Sequence, residues 1–202
     1  MGEEPWRVEV TGAPALDNLQ EIDTPSAAEV ERSFGISLSP APLLVTFHPE
    51  TLEQETTEEH FRELLSALDT CGEPVLFTYP NADPQGRRFI ELIHEYVDGR
   101  PRRAQAVANL GLKGYYGVLR EVPAMVGNSS SGIIEAASFG LPAVNVGNRQ
   151  RGRLRGDNVI DTPARRDAIT EALRRALDPA FRKTCHGLPN PYGDGNAAER
   201  IV

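Results

Sequence analysis

From Pro42 onward, short apolar runs alternate with stretches whose apolar positions recur at three- and four-residue spacing. The run 43–47 (LLVTF) predicts a strand. Over 57–72, Phe61, Leu64, Leu65 and Leu68 fall on one helical face, with Gly72 as the stop. The alternation then repeats. Strands are predicted at 74–79, 104–110, 124–128 and 142–147, and a sixth at 158–161. Between them, Phe89, Leu92, Ile93 and Tyr96 mark a second helix. A third is expected around 114–121, and 131–140 reads as a short helix ended by Gly140. Ile169, Leu173, Ala176 and Leu177 mark a last amphipathic helix. Strands that are apolar along their whole length, rather than at alternate positions, are buried on both faces, which calls for a parallel sheet with helices on either side. The expected class is α/β, a Rossmann-like doubly wound parallel sheet.

The two ends fit this pattern less well. Residues 8–19 (VEVTGAPALDNL) read as a strand and turn, and Thr24 as the N-cap of a short helix with Pro25 in its first position. Asn196 reads as the cap of a final helix too short to hold unless it docks. The expected division is an interdomain segment at 1–24 and one domain at 25–202.

Composition narrows the function classes. The chain is 40% hydrophobic and 25% charged, and holds no apolar run of membrane-spanning length. Its first residues, MGEEPWRVEV, lack the basic start and apolar core of a signal peptide. A net charge of -8 argues against nucleic acid, whose phosphates demand a basic face. Cys71 and Cys185 belong to no paired motif and read as thiols of a reducing compartment, which points to the cytoplasm. His60, His94 and His186 show no metal-like spacing, so no metal or other cofactor is expected. All but two of the 21 basic residues are arginine, so an arginine cluster counts only by its location.

In an open parallel sheet, ligands sit at the carboxyl ends of the strands. The residues expected there are His48-Pro49, Pro80-Asn81-Ala82-Asp83, Leu110-Gly111, Asn128-Ser129-Ser130-Ser131 and Asn148-Arg149-Gln150-Arg151. The serine run, at the start of a helix, suits a phosphate, with Gly127 and Gly132 allowing close approach. The plainer alternative is that Ser129 or Ser130 caps its own helix. There is no G-x-G-x-x-G and no Walker lysine. Glu135 lies one helical turn beyond Ser131, where a carboxylate could accept two hydrogen bonds from a ribose diol, or else be a solvated helix residue. His48 suits a diphosphate oxygen or a structural role in equal measure. Among Arg149, Arg151, Arg153 and Arg155, one guanidinium paired with phosphate and the rest solvated is the expectation.

The segments VTGAPALDN, TFHPET, YPNAD, VGNSSSGIIEAASFGLPAVNVGNRQRGR and NPYGDGN together resemble the C-terminal half of a UDP-N-acetylglucosamine 2-epimerase. They span residues 9 to 196 and look like the hydrolysing branch, which feeds sialic-acid synthesis. The aspartate-serine-glycine-glycine and threonine-glutamate-arginine-proline motifs of the non-hydrolysing branch do not occur. The resemblance implies the C-terminal domain of a GT-B fold, with the N-terminal domain and its main catalytic acids outside this chain. It implies that Ser129, Ser130 and Arg149 contact the diphosphate and Glu135 the ribose. His48 would lie near the phosphates with a catalytic share, Asn81 would face the sugar, and backbone near Leu110 would read the uracil. The implied ligand is UDP-N-acetylglucosamine or a related UDP-sugar. Implied partners are a complementary N-terminal half or further copies of the chain, with neither nucleic acid nor membrane. The alternatives are the donor-binding half of a GT-B glycosyltransferase and a non-catalytic UDP-binding module.

Overall fold

A computed structural model describes residues 2–50, 56–81 and 86–202. Six strands, β1 (Leu43–Thr46), β2 (Val75–Thr78), β3 (Ala104–Val107), β4 (Met125–Gly127), β5 (Ala143–Val146) and β6 (Val159–Thr162), form one sheet in the order β3-β2-β1-β4-β5-β6. Every pairing is parallel. The order reverses between β1 and β4, and the crevice above such a reversal is where doubly wound sheets take their ligands.

The helices are α1 (Asn18–Glu21), α2 (Ala27–Phe34), α3 (Thr57–Cys71), α4 (Gly86–Asp98), α5 (Gly111–Glu121), α6 (Ser131–Ile134), α7 (Arg166–Leu177), α8 (Pro179–Cys185) and α9 (Ala197–Ile201). Successive strand residues face opposite sides, so β1 feeds two cores. Leu43 and Val45 join Phe61, Leu64, Phe77, Phe89 and Leu173 under α3, α4 and α7. Leu44 joins Val30, Leu76, Tyr116, Leu119 and Met125 under α2 and α5. Phe47, Phe61 and Phe89 pack ring to ring, with centroids 4.9–6.0 Å apart. The βα repeat, the α3 stop at Gly72 (φ +78°) and the sixth strand match the hydrophobic pattern.

Three expectations are corrected. Val8 and Val10 form no strand, and they are 58% and 91% exposed. The cap of α2 is Ser26, not Thr24: Ser26 and Glu29 form a capping box, with the Ser26 amide donating to Glu29 Oε2 at 2.9 Å. The helix expected over 131–140 is broken at Glu135, with α6 followed by a 3-10 turn at Ala136–Phe139 ending on Gly140 at φ +61°. Asn196 does precede α9, yet the donors there are satisfied by Asp17, which accepts from Ala197 N at 2.9 Å and Ala198 N at 2.7 Å. That bond ties the last helix to the first segment.

Candidate nucleotide-binding site

Asn128 organises the crevice above β1 and β4. It is fully buried. Its Oδ1 accepts from the His48 amide at 2.7 Å and its Nδ2 donates to the His48 carbonyl at 2.9 Å. One side chain thus replaces the ladder where β1 and β4 part, and it fixes the loop that carries His48. The Asn128 carbonyl accepts from Arg149 Nη1 at 3.1 Å and from Gln150 Nε2 at 2.7 Å, which draws the β5 loop to the same point. Asn128→Ala is expected to leave the two His48 backbone groups without these partners, at a cost of about 3 kcal/mol. Thermal unfolding would read this as a fall in Tm of roughly 6–12 °C for a domain of this size.

The residues expected at the site divide as follows. His48 is buried at 8% exposure, and its Nδ1 accepts from the Asn81 amide at 3.2 Å. An accepting Nδ1 leaves the proton of the neutral ring on Nε2. The Asn81 side chain is exposed, while Asp83 lies outside the described residues. Ser129 Oγ accepts from the Ser131 amide at 3.3 Å. Ser130 occupies the N-cap position of α6 without a side-chain capping bond. Leu110 is buried and stands at the N-cap of α5, beside an open hollow of about 870 Å³ between α2 and α5.

Glu135 stands behind the serines. Burial pushes its carboxyl above the usual carboxylate range, and the Ser131 hydroxyl and then Arg153 draw it back. Among the described residues, no donor reaches its buried Oε2. A carboxylate oxygen removed from water in this way calls for a hydroxyl or amide.

Two expectations about this loop change. Gly127 does not make room for a phosphate: at φ +140°, a Cβ there would stand 1.9 Å from the Thr46 carbonyl oxygen, so the space is already taken by β1. Arg155 is not simply solvated, since its Nε pairs with both Asp161 oxygens at 3.0–3.1 Å.

Pattern reading missed several residues here. Asn128 and Gln150 were expected at the ligand edge, but not the hydrogen bonds by which they tie the His48 loop and the β5 loop together. Glu50 is 8% exposed, and its Oε1 lies 3.2 Å from where a Cβ on Gly147 would stand. Thr46, Thr78 and Tyr115 are joined to the site by hydroxyl contacts. Except for Tyr115, which lies in a helix, the signal was a polar residue inside or shortly after a predicted apolar strand.

A family model described as UDP-N-acetylglucosamine 2-epimerase matches residues 1–202. The chain belongs to that family. It is 36% identical over 200 residues to a UDP-N,N'-diacetylbacillosamine 2-epimerase (hydrolyzing) of Legionella pneumophila, covering 99% of this chain and 52% of that protein. A GDP/UDP-N,N'-diacetylbacillosamine 2-epimerase (hydrolyzing) of Campylobacter jejuni is 34% identical, with 91% and 45% covered. The fold is shared with the UDP-GlcNAc 2-epimerase of Neisseria meningitidis bound to UDP-GlcNAc, at a TM-score of 0.77 and 16% identity, covering 99% of this chain and 55% of that one. The chain spans about half the length of the curated relatives it matches. No described helix of this epimerase-family chain is long and apolar enough to cross a membrane.

Proposed function

We propose that this chain is the nucleotide-sugar-binding half of a hydrolysing UDP-N-acetylglucosamine 2-epimerase acting in the cytoplasm. Its ligand is UDP-N-acetylglucosamine or a related UDP-sugar, such as the diacetylbacillosamine derivative named for its relatives. The observation that carries the reading is Glu135: a half-buried carboxylate with one buried oxygen lacking a donor, placed behind a serine run at the switch point of the sheet. In this reading Glu135 accepts from the ribose diol, and Ser129, Ser130, Arg149 and the His48 Nε2–H face the diphosphate. The uracil enters the hollow beside Leu110, and Asn81 faces the sugar.

The reaction removes a proton from C2 of the sugar as the C1–O bond to UDP breaks. Water then adds across the resulting double bond to give the 2-epimer. In this reading His48 donates to the departing diphosphate. The acids that move the C2 proton are assigned to an N-terminal half, which would close over the site.

The test is titration calorimetry with UDP, ADP and NAD, with and without chelator. UDP is expected to bind tightest, unaffected by chelator, because hydroxyls, amides and a guanidinium supply the phosphate contacts. Arg149→Ala is expected to weaken UDP about tenfold or more. Equal or tighter ADP binding would count against the reading. Steady release of UDP from UDP-N-acetylglucosamine by these 202 residues alone would place the proton-transfer acids within them.

A further inference from the structure

A line of hydroxyls runs beneath the site from the middle of the sheet to Glu135. Thr78 Oγ1 at the end of β2 and Thr46 Oγ1 at the end of β1 are 2.5 Å apart. Thr46 is also hydrogen-bonded to the Tyr115 phenol. Tyr115 donates to Ser131 Oγ at 2.8 Å. Ser131 in turn hydrogen-bonds the Glu135 carboxylate and lowers its pKa.

The direction of this chain is set from one end. An ionised carboxylate only accepts, so Ser131 donates to Glu135 and must take its own hydrogen bond from Tyr115. Tyr115 then takes one from Thr46. Every hydroxyl dipole points toward the carboxylate, and aligned bonds of this kind strengthen one another in a poorly solvated setting. A serine with an idle acceptor could turn its proton elsewhere. This one is held, because its other partner is a phenol on a separate helix packed against the central strands.

We propose that Tyr115 is a positioning residue that, through Ser131, fixes the orientation of the Glu135 carboxylate that meets the ribose hydroxyls. The inference rests on the ribose role given to Glu135 above. It assigns a function to a tyrosine that touches no ligand, and it makes recognition of the sugar diol depend on α5 as well as α6.

The experiment compares binding of UDP and 2',3'-dideoxy-UDP to the 202-residue chain and to Tyr115→Phe, Ser131→Ala and Glu135→Gln. The unsubstituted chain is expected to prefer UDP over the dideoxy nucleotide by about tenfold or more. Tyr115→Phe should weaken UDP about three- to tenfold and leave dideoxy-UDP within about twofold, so that the preference shrinks. If Tyr115→Phe weakens both nucleotides equally, or neither, the positioning role is overturned. Should Tyr115→Phe fail to fold, Ser131→Ala, which removes the same link from the surface side, is judged by the same ratio. Glu135→Gln separates the two readings. An unchanged preference in that variant overturns the ribose role itself. A preference lost in Glu135→Gln but kept in Tyr115→Phe overturns the positioning role alone.

Discussion

Gly127→Ala is expected to prevent the domain from folding stably, whereas Gly132→Ala, five residues on, is expected to be tolerated. A Cβ at Gly127 would lie 1.9 Å from the Thr46 carbonyl oxygen and 2.7 Å from its carbon, and the backbone there has φ +140°. The atom in the way is the backbone of a fully paired central strand, aligned with Gly127 in the β1–β4 register, so it cannot rotate aside. Relief requires the two strands to separate at the point where Asn128 holds them together. The cost is about 4 kcal/mol or more, which consumes a large part of the stability of an ordinary domain. At Gly132 the added atom meets only the Ala143 Cβ at 3.5 Å, an ordinary contact inside a helix. That variant should be within about 1 kcal/mol of the parent, helped by helix propensity. Its new methyl points toward the sheet, so UDP affinity should change by less than about threefold, a fraction of a kcal/mol. Soluble yield and urea unfolding of the pair check this, and comparable stability of the two variants would contradict it.

That glycine also marks the limit of what pattern reading could supply. The strands were legible because a parallel sheet buried on both faces leaves continuous apolar runs, and 43–47 and 74–79 are such runs. Helix α7 was legible from its spacing. Gly127 was noticed, but for the wrong reason, because close approach of two strands leaves no linear trace. The capping box of α2 had its signal, a serine three residues before Glu29, yet Thr24-Pro25 offered a competing one. The break at Glu135 was not legible: Ile133, Ile134, Ala136 and Ala137 continue the helical pattern. The candidate ligand-facing groups were readable because phosphate and ribose chemistry restricts residue types. Their supports, Asn128, Tyr115, Thr46 and Thr78, were not, since each acts across elements far apart in the chain.

Glu135→Gln is expected to pull stability and binding in opposite directions. Burial raises the Glu135 pKa above its unfolded value, against the smaller downward pulls of the Ser131 hydroxyl and Arg153, with Tyr115 and Tyr116 facing it from α5. A group whose folded pKa is raised contributes stability that is complete below its unfolded pKa and is lost as pH rises through the folded one. At neutral pH the free domain therefore holds an ionised group in a place that disfavours it, and a neutral amide relieves this. The variant should melt at or above the parent at pH 7, with the difference shrinking toward pH 4. Ligand reverses the order. The ribose hydroxyls donate to the carboxylate, and an amide presents one acceptor and one donor in place of two acceptors. Losing a charge-assisted hydrogen bond costs about 1.5–3 kcal/mol, or roughly 10- to 150-fold in affinity. UDP-N-acetylglucosamine suits the pH series, since its diester phosphates do not titrate there. Its affinity for the parent should fall as pH drops through the raised Glu135 value, while the variant stays flat over that range. Melting curves and calorimetry on the same preparations decide the matter. A variant that melts lower than the parent at pH 7 and binds equally well would show that Glu135 serves the fold and not the ribose.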